Sequence, residues 1–221
     1  MTKKGAKGAR GSDSLTAEDW VRAAVEAISE GGVDAVAVEP LAKRLSVTKG
    51  SFYWHFKNRR SLLEAVLGRW EEEETEAVIF ATARVSDSRE RLVRLFDEAF
   101  ADEPFGGHTS GSGVFYGGDF ERRLSDAADD PVVGPVLRRA SGRRVDYLEE
   151  CYRALGFLPD EARHRALLVY AAYVGVQRLA REVPSRMPRD EDYVAYRQHL
   201  ISTLLPDRTS TAAAGTGGEA D

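Results

Sequence analysis

Residues 38–56, VEPLAKRLSVTKGSFYWHF, constrain this chain more than any other stretch. Leu41, Ala42 and Leu45 recur at helical spacing, Ser46-Val47 interrupts them, and Thr48 stands where it can cap a new helix running to about Trp54. Pro40 falls in a first helical turn, where its missing N–H costs nothing. A short helix, a turn of three or four residues and a second helix together make a helix-turn-helix. Ala42 is small enough to let the two helices approach, and Leu41, Leu45, Val47 and Phe52 supply the wedge between them. Phe52 and Phe56 are four apart and share the buried face of the second helix. Thr48, Lys49, Ser51, Tyr53 and His55 therefore fall on its other faces, and Gly50 offers the closest backbone approach. An exposed helix that opens Thr-Lys-Gly-Ser, followed by Tyr and His, suits a phosphate-lined major groove. A helical hairpin packed only against protein fits the bare spacing too, so the flanking residues must decide.

Those flanks are helical on both sides. Thr16-Ala-Glu-Asp19 has the form of an N-cap with an acidic residue at the third helical position. Trp20, Val21, Ala24, Ala27 and Ile28 follow in register, and Gly31-Gly32 stops the helix. Asn58 is placed to cap a helix carrying Leu62, Leu63, Val66, Leu67 and Trp70. Glu71 to Glu74 and Glu76 interrupt that stripe, which resumes at Ala77, Val78 and Phe80 without proline or glycine. This predicts one rod passing between two cores, with the glutamates at a solvated neck. Further helices are expected near 88–102, 119–128, 132–156, 160–183 and 190–205, around a glycine-rich loop at 106–118. Strand-forming alternation and internal repeats are absent from the sequence. The expected fold is all-α, about nine helices: an N-terminal three-helix helix-turn-helix domain and a C-terminal helical domain. The expected boundaries are a flexible basic arm at 1–13, a first domain at 14–74, a second at 75–206 and a disordered tail at 207–221.

Charge separates the two halves. Of the 221 residues, 1–70 hold 12 Lys+Arg against 8 Asp+Glu and the remainder 19 against 28, giving the overall −5. All six lysines lie in the first 57 residues. One reading is that arginine in place of lysine reflects a GC-rich genome; the sharper one is a basic segment that meets a polyanion ahead of an acidic domain, and charge alone does not decide between them. The longest apolar run, Leu167 to Val176, has ten residues, short of the ~18 needed to cross a bilayer. No apolar segment follows the basic N-terminus as in a secretory signal. The single cysteine, Cys151, excludes an intrachain disulfide framework and a Cys-based zinc site. A soluble cytoplasmic protein without membrane contact is expected. The 106–118 loop lacks the Gly-Lys-Ser/Thr of a phosphate-binding loop, and Gly111 to Tyr116 fails the dinucleotide pattern at its last glycine. His55, His108, His164 and His199 are scattered, and Cys151 sits in an apolar stripe. No catalytic residue, metal site or cofactor is expected, and hence no enzyme.

From Leu15 to Val66 the chain strongly resembles the DNA-binding domain of the tetracycline-repressor (TetR) family of bacterial transcription regulators. The resemblance is carried by Ala23-Ala24, Gly31-Gly32-Val33, Val38, Leu41-Ala42, Leu45, Val47-Thr48, Gly50, Phe52-Tyr53-Trp54-His55-Phe56, Arg59 and Leu62-Leu63. It implies that Thr48, Lys49, Gly50 and Ser51 read base edges. Tyr53 and His55 would contact phosphate, with Trp54 flanking, and Lys57 and Arg59 would hold a phosphate at the start of the next helix. Two positions depart from the family pattern. Ser46 occupies a turn position usually held by glycine, costing on the order of 1 kcal/mol if its φ is positive. Arg59 replaces the more usual lysine and keeps the charge. Lys3, Lys4, Lys7 and Arg10 of the arm either add nonspecific affinity or are merely solvated.

The resemblance also implies a homodimer on an operator of two half-sites. The last two helices would form the interface through Leu168, Ala172, Gly175, Leu179, Tyr196, Leu200 and Leu204. A small organic effector is expected among Phe96, Phe100, Phe115, Tyr116, Phe120, Tyr147, Tyr170 and Tyr173, releasing a repressor from DNA. A second reading, a ligand-binding or interaction module with a vestigial DNA-binding surface, rests on Ser46 and the acidic overall charge.

Overall fold

The computed structural model describes residues 15–100, 108–109, 115–116 and 118–205. The expected arm, the expected tail and most of the glycine-rich loop lie outside the described residues. Helix α1 (Ala17–Gly31) starts at a complete capping box. The Thr16 hydroxyl accepts from the Asp19 N–H, and the Asp19 carboxylate accepts from the Thr16 N–H at 2.8 Å. Gly32, at φ 82°, ends the helix in a conformation that favours glycine. A 3-10 turn at Val33–Ala35 leads to α2 (Val38–Arg44) and α3 (Lys49–Phe52). Beyond Phe52 the backbone continues in i to i+3 bonds, Trp54 N–H to Ser51 and His55 N–H to Phe52, so α3 is shorter than its periodicity predicts. Asn58 and Ser61 form a second capping box at α4 (Arg59–Glu71).

From α4 the rod runs without a break through a π turn (Glu72–Glu76) into α5 (Ala77–Ala83). Then follow α6 (Ser88–Ala99), α7 (Gly118–Asp126), α8 (Val133–Ala154), α9 (Pro159–Glu182) and α10 (Asp190–Leu204). Counting α4 and α5 as one rod, nine helical rods stand among the described residues. One departure from the expected pattern is an antiparallel pair of two-residue strands, β1 (His108–Thr109) and β2 (Phe115–Tyr116). Such a short pair needs too few residues to show alternation in sequence.

Two apolar cores flank the π turn. The first gathers Trp20, Ala24 and Ile28 of α1, Leu41 of α2, Phe52 of α3 and Leu63 and Val66 of α4. It also takes in Phe120 and Leu124 of α7 and Val133 and Ala140 of α8, so the second half of the chain completes the core of the first. The second core joins Phe96, Phe100, Tyr147, Tyr152, Ala166 and Leu204. Between them the neck is clasped rather than solvated. Glu71 pairs with Arg139 at 2.6 Å, Glu73 with Arg69 at 3.0 Å and Glu76 with Arg143 at 3.5 Å. Arg144 donates to the Thr75 hydroxyl at 2.9 Å and the Glu74 carbonyl at 3.2 Å, with its guanidinium 5.3 Å from the centre of the Trp70 ring. A run of glutamates reads as a solvated face until its partners are seen. Here they are arginines, three of them some 70 residues away on α8.

Candidate nucleic-acid interface

The presentation of α3 follows from where its two phenylalanines go. Phe52 is fully buried, edge-on to Trp20 at 5.2 Å, and Phe56 packs 5.8 Å from it. From Thr48 to His55 the other side chains are turned outward wholly or in part. Thr48, Lys49, Gly50, His55 and Lys57 are exposed, Tyr53 is 56% and Trp54 88% exposed, and Ser51 is half-buried. An indole left so bare contributes nothing to this core, and two aromatic rings beside cations suit stacking or backbone contact with a nucleic acid. Thr48 takes the cap position of α3, but its hydroxyl makes no capping bond. At Gly50 an added Cβ would meet only the Thr48 hydroxyl, at 3.6 Å. The protein's own packing does not require glycine there.

The turn between α2 and α3 is tight. Val47 N–H donates to the Ala42 carbonyl at 2.9 Å, and Ser46 sits at φ 57°, the left-handed conformation that favours glycine. Lys49, the first residue of α3, donates to the Glu39 carboxylate at 2.7 Å. Each raises the other's preference for its charged form: the lysine is pushed above its ordinary range and the carboxyl held below its own. Glu39 is the site residue that the sequence did not single out; only its position in the first turn of α2, next to the start of α3, marks it. Lys57 is exposed and has no partner among the described residues, but Arg59 is tied in. Arg59 Nε donates to the Val36 carbonyl and Nη2 to the Val33 carbonyl, both at 2.7 Å, with Asp34 3.8 Å away. The base expected at a phosphate thus ties α4 to the turn that follows α1.

The aromatic residues expected around an effector do not all come together. Phe96, Phe100 and Tyr147 belong to the second core, whereas Phe120 is buried in the first, against α1. The side chains of Phe115 and Tyr116 lie outside the described residues. Tyr170 and Tyr173 stack at 6.4 Å, and Tyr173 meets Phe100 at 6.0 Å. Their hydroxyls reach a polar cluster: Tyr170 donates to Ser141 at 2.9 Å and Tyr173 to Glu121 at 3.4 Å, while Arg144 faces Glu121 at 3.5 Å. The neighbouring Glu121 charge, then burial, pushes the Tyr173 hydroxyl far above its ordinary range, so it stays a donor. Tyr147 shares a hydrogen bond of 2.9 Å with Thr82. Cys151 is fully buried beside it, and burial raises its thiol.

The residues expected at a dimer interface also divide. Leu168 and Leu179 are 59% and 46% exposed, beside Leu167 and Val174 on the same helix. Ala172, Gly175, Tyr196 and Leu200 are half-buried, and Leu204 is buried in the second core of its own chain. Leu204 therefore packs within one chain: α10 turns its last apolar residue inward against the second core. Among the described residues no group of three or more His, Cys, Asp or Glu is placed to hold a metal ion. Nor is any described helix long and apolar enough to cross a membrane.

Comparison with known proteins agrees with this layout. Residues 21–66 match the model for bacterial regulatory proteins of the tetR family. Over 46 residues the chain is 46% identical to the class A tetracycline repressor protein of Escherichia coli, from transposon 1721, a match covering 21% of each chain. The class C repressor of the same organism is 39% identical over 54 residues, 24% of this chain and 25% of the repressor. These curated relatives are thus matched over only a fifth to a quarter of their length. Solved structures extend the likeness of fold. A TetR transcriptional regulator from Legionella pneumophila superposes with a TM-score of 0.64 at 20% identity, covering 88% of this chain and all of that one. AibR, solved in complex with isovaleryl coenzyme A and operator DNA, gives a TM-score of 0.61 at 17% identity over 86% of this chain and 98% of its own.

Proposed function

We propose that this chain, whose residues 21–66 match the tetR family of bacterial regulatory proteins, is a member of that family and a sequence-specific DNA-binding repressor that works as a homodimer and is released by a small organic effector. One observation carries the reading: the side of the helix-turn-helix opposite Phe52 and Phe56 is open from Thr48 to His55, with Trp54 88% exposed. In the major groove, Thr48, Lys49, Gly50 and Ser51 lie against base edges. Tyr53, Trp54, His55 and Lys57 lie along the phosphates. One such motif reads few base pairs, so two copies on two half-sites are needed. The exposed Leu167, Leu168, Val174 and Leu179 on α9 support pairing through that helix. For the effector, support comes from the Tyr170–Tyr173 stack over Ser141, Glu121 and Arg144, where flat apolar surface and polar groups converge. That AibR was solved with an acyl coenzyme A and operator DNA supports a division of labour between the two halves of the fold.

The test is a mobility-shift assay of the full-length protein on genomic fragments, including DNA flanking its own gene. A salt-sensitive complex with one sequence, withstanding excess unrelated DNA, is the expected result. Binding that fails to distinguish any fragment from unrelated duplex overturns the proposal.

A further inference from the structure

The pairing of Glu39 with Lys49 is unusual for a surface meant to meet a polyanion. A carboxylate, 74% exposed, stands 2.7 Å from the first cation of the outward face of α3, itself 53% exposed. We propose that the two side chains act together as a reader of one guanine–cytosine base pair in each half-site. Lys49 donates to guanine, and Glu39 accepts from the N4 amine of cytosine. The inference rests on the DNA-binding reading above and deepens it.

Three considerations lead there. The pair carries no net charge, so it releases no counterions on binding and is ill suited to anchor phosphate. A lone lysine would serve that purpose better, and a lone glutamate would oppose it. Next, the pair retains hydrogen-bonding capacity on two exposed side chains. The ammonium has three protons and gives one to Glu39; the carboxylate has about four acceptor sites and uses one on Lys49. Finally, donor and acceptor are spaced like the edge they would read. Guanine O6 and cytosine N4 are hydrogen-bonded to each other across the base pair at about 2.9 Å, the ordinary length of such a bond. The Lys49–Glu39 separation of 2.7 Å matches it closely.

The order of groups then selects the base pair. In the major groove, guanine shows two adjacent acceptors, N7 and O6, and cytosine shows a donor, N4. An ammonium with two protons left satisfies both acceptors while the neighbouring carboxylate takes the donor. An adenine–thymine pair puts its central donor on the purine and leaves its remaining acceptor beside the thymine methyl. There the ammonium loses one acceptor and the carboxylate meets the methyl side. Lys49 is fixed at the start of α3 and Glu39 in the first turn of α2, so the two cannot exchange places to follow a reversed pair.

The experiment is selection from a random duplex library with the full-length protein and its E39A and K49A variants. Wild type should enrich a site with a G·C pair at one fixed position of each half-site. At that position alone, E39A and K49A should lose discrimination of roughly 5- to 150-fold. E39A should also steepen the log–log salt dependence of binding by about 0.9 per subunit, because it frees Lys49 for phosphate. Both side chains are exposed, and unchanged thermal melting verifies that each variant is folded. If wild type enriches a site and E39A keeps the same base preference at every position, the pair is only a solvent-exposed tie between α2 and α3 and this inference fails alone. If wild type enriches no sequence, the DNA-binding reading fails and this inference with it.

Discussion

Replacing Arg59 with alanine separates two roles that one guanidinium can play. Its Nε and Nη2 bridge the carbonyls of Val36 and Val33, each at 2.7 Å. Val36 is fully buried and Val33 nearly so, so these carbonyls have little access to water. The Val33 carbonyl also accepts from the Val36 N–H at 3.2 Å and keeps that bond in the variant, whereas among the described residues no other donor is seen at the Val36 carbonyl. Stranding a buried acceptor costs about 1–3 kcal/mol, and losing one of two bonds at the other about 1 kcal/mol. The arginine side chain is 39% exposed, so water replaces part of what the guanidinium itself loses. R59A should therefore lose about 2–4 kcal/mol, a large part of the ~5–15 kcal/mol that holds a domain together. Urea unfolding followed by the fluorescence of Trp20 and Trp70, both in the first core, measures it. R59K should recover about half the loss, since one ammonium reaches one carbonyl well but not both at the same angle. The salt dependence of DNA binding should stay unchanged when measured under conditions where R59A is folded. A loss below about 1 kcal/mol, together with a salt slope shallower by about 0.9 per subunit, would show that Arg59 holds phosphate instead.

Other substitutions test neighbouring arguments. S46G relieves the left-handed backbone at φ 57° and should add about 1 kcal/mol of stability, read as a higher urea midpoint with the selected DNA sequence unaltered. G134A would place a Cβ 2.2 Å from the Ala128 carbonyl oxygen, where only backbone movement makes room. A loss of at least ~1–3 kcal/mol in the same unfolding assay is expected. K57A removes an exposed cation with no partner among the described residues, so its stability should match wild type while its salt slope becomes shallower by about 0.9 per subunit.

Local chemistry made much of this fold readable from sequence. Thr16 and Asn58 announce their helices because an N-cap needs a short polar side chain, and both sit in complete capping boxes. Phe52 and Phe56 fixed the orientation of α3 because a spacing of four leaves a single solution for the opposite face. Ser46 pointed to a strained turn, and its φ is positive. What stayed hidden depends on distant partners. The glutamates of the neck look solvated until Arg139, Arg143 and Arg144 close on them from α8. Phe120 is one aromatic among many in sequence, and nothing near it tells that it packs against α1 rather than beside Phe100. Glu39 gains meaning only through Lys49, ten residues on, across a turn whose geometry brings the two charges together.

The insertion of Phe120 and Leu124 into the core around α1 limits how this molecule can be cut. A fragment stopping at residue 74 would leave a greasy trough along α1 and α4 where those two side chains, Val133 and Ala140 now sit. Filling that trough is worth about 1.5–3 kcal/mol for each large side chain, enough to make the excised head fragile or sticky. The same insertion makes α7 a handle: tilting it drags α1, and the short helices leaning on α1 follow. A molecule lodged beside Glu121, one residue from Phe120, would thus grip the head by its root.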